Sequence, residues 1–236
     1  MAAKAFDRMI HEAAIGAGKP FGLLAVLFSI MSIGYLSGCK TPARYKLSPG
    51  AVAPPSSRML TVKLRPQERT NWCWAASGEM IMETLGHDVA QCTQAENLFS
   101  KSCCPSKVSC DDTGWPQFDK YAFTYKRTNS AALDWDQLRE QIGVRGAPIA
   151  FTWLFPDGTG HMMVLKGYAN IDGVNYVYVD DPWYVPEPGK PNQGREEFFT
   201  YQWYVKDPAA TNCDAPDGQR LGDHCQWDDF YDFSHP

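Results

Sequence analysis

The sequence predicts an α+β fold, with helices first and an antiparallel sheet after them. A proline-free segment begins at Cys73, and its apolar residues recur at the spacing of one buried helical stripe. Residues 161–168 and 176–181 have strand character, and Asp172-Gly173 between them is a strong hairpin-turn signal. We therefore expect a helical half packed on an antiparallel sheet half.

The composition limits the class of protein. The chain has 236 residues, enough for one domain with a full core once a leader and a linker are set aside. Its formal net charge of −5 offers no basic face, so we expect no nucleic-acid binding. Eight cysteines are too many to leave free in a chain of this size, and the compartment decides whether they form disulfides or hold another group. A monomer is expected.

The N-terminus has the pattern of a secretory leader. Residues 21–38 are apolar, follow Lys19 and end in small residues directly before Cys39. The junction Leu-Ser-Gly-Cys resembles a bacterial lipobox, which implies that residues 1–38 are a lipoprotein signal peptide and that Cys39 is lipidated. An uncleaved signal anchor is the alternative.

The expected location follows from this leader. Residues 39–58 are proline-rich and lack an apolar period, so we interpret them as a tether for a domain at residues 59–236. Lys40 follows the cysteine. By resemblance to lipoprotein sorting in Gram-negative bacteria, a lysine rather than an aspartate at this position favours the outer membrane. The prediction is a bacterial cell-envelope protein facing the periplasm or the exterior.

Cys73 is the candidate nucleophile. At a helix N-terminus a thiol lies near unpaired backbone amides, whose partial positive charge favours the thiolate. Attack on a carbonyl creates an oxyanion, and its natural donors are the backbone amide of Cys73 and the side-chain amide of Gln67. Taken alone, a cysteine in a secreted chain is more often a half-cystine or a small buried residue.

The hairpin supplies a candidate base. Its geometry brings His161, at the start of one strand, beside the Asp180/Asp181 pair at the end of the next. A carboxylate that accepts from one ring nitrogen leaves the other nitrogen for the thiol. A strict two-residue turn would place Asp180 on the face of His161, whereas a one-residue shift would place Asp181 there.

These motifs resemble the papain-like cysteine proteases, whose matching positions here are Gln67, Cys73, Trp74, His161, Gly167, Tyr168, Asp181 and Trp183. The segment before Cys73 departs from the papain signature, and Asp-Pro replaces papain's Asn, as in bacteriocin-processing peptidases and papain-like effector proteases. The resemblance implies a papain-like α+β fold with a helical half carrying Cys73 and a sheet half carrying His161 and Asp181. It also favours Asp181 over Asp180.

The implied activity is hydrolysis of peptide bonds through a Cys73 thioacyl-enzyme, with a peptide or protein as substrate. A transglutaminase-like acyl transferase or a deamidase would use the same residues. A third hypothesis is an inactive papain-fold binding module. No cofactor is predicted, and no metal site, because no Cys-x-x-Cys pair or suitably spaced histidine is present.

The remaining cysteines are expected to form disulfides, with Cys213–Cys225 as the first choice and local pairing of the rest, which are Cys92, Cys103, Cys104 and Cys110. Further helices are predicted at residues 94–101, 115–123 and 134–142, and strands at 149–155 and 198–205. The other candidate histidines, His87, His224 and His235, are expected at the surface.

Overall fold

The computed structural model describes residues 53–104, 110–210, 213 and 223–236. The helices are α1 (Cys73–Thr84), α2 (Gln91–Phe99), α3 (Trp135–Arg139) and α4 (Tyr201–Val205), with a 3₁₀ turn at Phe118–Tyr121 and a π-helical turn at Glu140–Val144. The strands are β1 (Ser57–Met59), β2 (Thr124–Arg127), β3 (Ile149–Leu154), β4 (Gly160–Ile171), β5 (Val174–Asp181), β6 (Arg195–Thr200) and β7 (Cys225–Ser234). The α+β class is confirmed.

The predicted leader, the lipidation at Cys39 and most of the predicted tether fall on residues 1–52, which lie outside the described residues. They stay predictions. Across the ranges that the structure describes, no helix combines the length and the apolar character needed to cross a bilayer.

One antiparallel sheet organises the domain, with the strand order β2-β7-β3-β4-β5-β6. Strand β3 pairs with β4 only as far as Leu165, and β1 takes up the pairing beyond that point through Ser57, Arg58 and Met59. The last residues of the predicted tether are therefore part of the sheet, and the folded domain begins before residue 59.

Side chains alternate between the two faces of the sheet, and each face has its own core. Ala150, Met162 and Val164 join the cluster that contains the buried side of α1. Their neighbours along the strands, among them Phe151 and Leu165, join a second cluster with residues of α3 and α4. The strands are thus apolar on both faces, which explains their nearly continuous hydrophobic runs.

Helix α1 begins at Cys73 as the sequence predicts, and all of its residues from Trp74 to Met82 are buried. Gly78 lets α2 approach closely, because a Cβ at that position would collide with the side chain of Gln94. Gln94 in turn donates to the carbonyl of Ala75 at 2.8 Å. Ser77 ties α1 to the sheet by donating to the carbonyl of Met162 at 3.1 Å.

Three element predictions need correction. Helix α2 starts at Gln91, three residues before the predicted start, so Gln94 lies inside the helix, where its side chain bonds the backbone carbonyls of Ala75 and Val89. The segment 115–123 forms only a 3₁₀ turn. The strand predicted at 198–205 ends at Thr200, whose hydroxyl accepts from the backbone of Trp203 and so starts α4.

The prediction that His224 lies at the surface was wrong, because the C-terminal segment is part of the sheet. Strand β7 lies between β2 and β3, inside the sheet. His224 is 1% exposed and stacks on Trp153, with ring centroids 3.8 Å apart. The disulfide Cys213–Cys225 forms as expected and joins Cys213 to the first residue of β7, and the local pairs are Cys92–Cys104 and Cys103–Cys110.

Asp229 connects β7 to its surroundings. Its carboxylate is fully buried and accepts from the backbone of Leu133 at 2.6 Å, from the Tyr204 hydroxyl and from the Gln226 amide. Burial raises the pKa of Asp229 to about 7, against the lowering effect of these donors. One side chain thus links the C-terminal strand to α4 and to the segment that leads into α3.

We predict that Asp229→Ala lowers the free energy of unfolding by roughly 3 kcal/mol or more, because it leaves several buried donors without an acceptor. Urea denaturation followed by tryptophan fluorescence measures this. Asp119→Ala, which removes an exposed carboxylate, serves as the control. Equal stability of the two variants would contradict the role given to Asp229.

Candidate active site

Cys73 is the first residue of α1 and the one free cysteine among the described residues. Its thiol is partly exposed and forms a side-chain hydrogen bond with His161. The helix N-terminus supplies backbone amides that have no partner within the helix. The sequence thus folds so that its candidate nucleophile meets its candidate base.

His161 and Asp181 meet across the β4–β5 hairpin. The His161 Nε2 and the Asp181 Oδ1 are 2.6 Å apart, and the Asp181 side chain is almost fully buried. Because Nε2 contacts the carboxylate, Nδ1 is the nitrogen left for the thiol of Cys73. The structure therefore brings Cys73, His161 and Asp181 together in one chain of hydrogen bonds.

A β-bulge decides which aspartate reaches His161. The turn has two residues, Asp172 and Gly173, since Ile171 opposes Val174 and both turn residues have positive φ. Such a turn alone would put Asp180 on the face of His161. However, Lys166 is an extra residue on β4, because its neighbours oppose consecutive residues of β5. The bulge reverses the alternation and aligns Asp181 with His161.

Asp180 has a different partner. It is fully buried, and its Oδ1 lies 2.6 Å from the Nζ of Lys166, the bulged residue. The same Nζ lies 2.5 Å from Glu196 on β6. Burial raises the pKa of Asp180 to about 6, although the Lys166 charge opposes that shift. Asp180 thus neutralises Lys166 and does not face the imidazole.

Two further contacts hold Asp181. Its Oδ1 accepts from the backbone amide of Trp183 at 2.9 Å, and its Oδ2 accepts from Arg195 Nε at 3.2 Å. Burial favours the neutral acid, but the bond and charge of His161, the Trp183 amide and Arg195 together lower the pKa of Asp181. Arg195 was missed at the sequence level, since nothing in its local pattern indicates a contact fourteen residues away.

The electrostatics favour an ion pair between thiolate and imidazolium. Burial opposes the thiolate, yet the hydrogen bond and charge of His161 outweigh it and lower the pKa of Cys73. Burial likewise opposes the imidazolium, but Asp181 and Cys73 raise the pKa of His161 to about 10. At a pH between the pKa of Cys73 and the pKa of His161, the sulfur is negative and the ring is positive. This is the form that is competent for nucleophilic attack.

Gln67 is buried in the loop before α1, but its amide has other partners. Its Nε2 donates to the carbonyls of Arg69 at 2.8 Å and of Thr70 at 2.5 Å. Both of its hydrogens are therefore used within this loop. Gln67 fixes the path of the chain into Cys73, and its predicted role as an oxyanion donor stays a prediction.

The residues beside Cys73 are held by a loop that follows the disulfide Cys103–Cys110. Asn71 donates its backbone N–H to the Asp111 carboxylate at 2.7 Å and its side-chain amide to the Asp111 carbonyl at 2.8 Å. The Trp72 indole donates to the carbonyl of Cys110 at 2.6 Å. These contacts, which sequence reasoning did not find, fix the nucleophile segment from the side of the helical half.

One group of potential metal ligands occurs among the described residues, formed by Cys92, Glu96 and Cys104. Its two cysteines are joined to each other as a disulfide, so neither offers a free thiolate. The group is therefore a disulfide crosslink with the carboxylate of Glu96 beside it.

Comparisons with known proteins give one family. Among solved structures, the chain aligns with a protein chain from a structure described as "Structural basis for the limited antibody cross reactivity between the mite allergens Blo t 1 and Der p 1". The TM-score is 0.40 at 14% identity, over 80% of this chain and 74% of that chain. No curated protein matches the sequence. The model described as the Peptidase_C39 like family matches residues 59–211. This is more than half of the chain, and the chain therefore belongs to the Peptidase_C39-like family.

Proposed function

We propose that this protein is a cysteine peptidase that hydrolyses peptide bonds through a thioacyl-enzyme on Cys73. Family membership supports a cysteine-peptidase type of function. The observation that carries the finer assignment is the continuous chain of hydrogen bonds from the Cys73 thiol through His161 to the buried Asp181. This arrangement supports the roles of nucleophile, base and orienting acid for the three residues.

In the first step the Cys73 thiolate attacks the carbonyl carbon of the scissile bond, and the carbonyl oxygen becomes negative. The backbone amide of Cys73, in the first turn of α1, is the natural donor to that oxygen. His161 then gives its Nδ1 proton to the leaving nitrogen, and the carbon–nitrogen bond breaks. The acyl group remains on sulfur as a thioester.

In the second step His161 takes a proton from water, and the resulting hydroxide attacks the thioester. The carbon–sulfur bond breaks, the acid is released, and the thiolate–imidazolium pair is restored. Asp181 keeps the imidazole oriented throughout and stabilises its positive charge. Gln67 would assist at the oxyanion only by giving up one of its bonds to Arg69 or Thr70.

We predict that Cys73→Ala lowers the turnover of peptide substrates by roughly 10⁴-fold or more, because the reaction loses its nucleophile. Cleavage of labelled, denatured casein and of a peptide library, followed by mass spectrometry, measures this. His235→Ala, which changes a histidine far from Cys73 in the chain, is the control and should retain activity.

Other outcomes point to other functions. Retained cleavage by a folded Cys73→Ala protein would contradict the proposal. Product masses that show transfer to an added amine would indicate an acyl transferase. Failure of iodoacetamide to label Cys73 in the wild-type protein, together with no cleavage, would indicate a binding module.

We also propose that Cys39 carries a lipid and that the peptidase is anchored at a bacterial cell envelope. The support is the leader pattern and the small residues before Cys39. In cells grown with a radiolabelled fatty acid, the wild-type protein should be labelled and found with membranes, whereas Cys39→Ser should not. Equal labelling of both proteins would exclude this anchor.

A further inference from the structure

A cavity of about 410 Å³ opens beside Cys73. This volume is within the roughly 300–1,000 Å³ typical of ligand-binding pockets. Its walls include Trp74, Trp115, Trp227 and Met162, and Thr152 also lines it. Apart from Cys73 itself, no ionisable side chain of the described residues lines it.

The position of the cavity indicates which part of a substrate it would hold. It reaches Cys73, yet among the described residues neither His161 nor Asp181 lines it. In the proposed mechanism His161 protonates the leaving amine, so the amine part of the substrate lies on the side of His161. The cavity is therefore on the side of the acyl part, which stays bound as the thioester.

A second β-bulge builds one wall of this cavity. Thr152 opposes Asp228 and Trp153 opposes Gln226, so Trp227 is an extra residue on β7. Bulges redirect a side chain, and here the redirected side chain is an indole that lines the cavity. Strand β7 lies outside residues 59–211, the part of the chain that the family model matches. This wall is thus a feature of the C-terminal strand.

The aromatic wall is held in place before any ligand binds. Trp115 and Trp227 form an edge-to-face pair with centroids 5.0 Å apart. The guanidinium of Arg127 lies 4.3 Å from the Trp115 ring centroid and forms a 2.6 Å ion pair with Asp228. Gly160 gives Trp227 its space, since a Cβ there would come within 2.8 Å of the indole.

Thr152 is a polar residue in the wall of the cavity. The residue is 4% exposed, and its Oγ1 has no hydrogen-bond partner among the described residues. A buried hydroxyl without a partner is costly, and a ligand group that bonds to it would remove that cost. The cavity therefore combines rigid aromatic walls with one unsatisfied hydroxyl.

We propose that this cavity is a specificity subsite for an aromatic side chain with a hydrogen-bonding tip, with tyrosine preferred over phenylalanine, in the acyl part of the substrate. The ring would pack against Trp115 and Trp227. The phenolic hydroxyl would pair with Thr152, whereas a charged side chain would lose its solvation without gaining a partner. This inference rests on the proposed peptidase function.

The test uses fluorogenic peptide amides in which each acyl-side position is changed in turn to Tyr, Phe, Ala or Lys. At one position kcat/KM should be highest for Tyr, exceed that for Phe by roughly 3- to 10-fold, and exceed those for Ala and Lys by more. Thr152→Val should bring the Tyr/Phe ratio to about 1 by removing the hydroxyl. Thr124→Val, on an exposed position of β2, is the matched control.

Trp227→Ala should lower kcat/KM for the aromatic peptides by roughly tenfold or more with little change for Ala peptides, and Trp227→Phe should recover part of the loss. Binding of the same peptides to the Cys73→Ala protein, by calorimetry, measures the subsite without catalysis. Cleavage or binding that does not discriminate Tyr from Ala would overturn the subsite. Preferential Tyr binding without cleavage by the wild-type protein would overturn the peptidase function and keep the subsite.

Discussion

The arrangement around Cys73 depends on the register of one hairpin, because that register decides which carboxylate reaches His161. The two-residue turn sets which side chains of β4 and β5 share a face of the sheet. The bulge at Lys166 then reverses that alternation between the turn and the strand ends that carry His161 and Asp181. The extra residue is a lysine, and Asp180 and Glu196 neutralise it in a buried position. Asp180 therefore forms a structural ion pair with Lys166, whereas Asp181 contacts the imidazole of His161.

The C-terminal strand connects this site to the rest of the fold. Strand β7 lies between β2 and β3, begins at the half-cystine Cys225 that pairs with Cys213, and is fixed by the buried carboxylate of Asp229. Its own bulge directs Trp227 to the cavity beside Cys73. Two bulges on different strands thus position these groups: one aligns Asp181 with His161, and the other brings Trp227 to the cavity beside Cys73.

Local patterns predicted the parts of the molecule whose signals are local. The helix at Cys73, the tight turn at Asp172-Gly173 and the helix that starts after Asp134 follow from apolar spacing and turn residues, and the structure has all three. The meeting of Cys73 and His161 was predicted from a resemblance. The polar Lys166 before Gly167, inside an apolar strand, was an available sign of a bulge that the sequence reading did not use.

Other features depend on contacts between distant segments and leave little local trace. The apolar residues of β7 are interspersed with three aspartates, so its composition resembled that of a solvated tail. Two of these acids, Asp228 and Asp229, are buried because Arg127, Leu133 and Tyr204 supply partners from other elements. The cavity likewise requires the approach of Trp115 and Trp227, which the chain order does not reveal.

The pH profile of catalysis in aspartate variants tests the central claim most directly. In the wild-type protein kcat/KM should rise as Cys73 ionises, at a pH below the ordinary range of a thiol, and fall as His161 deprotonates near pH 10. Asp181→Asn removes the negative charge that stabilises the imidazolium, so the pKa of His161 should fall and the basic limb should move down by roughly 1–3 pH units. Asp180→Asn should leave that limb in place. A basic limb that moves in Asp180→Asn and stays fixed in Asp181→Asn would contradict the account.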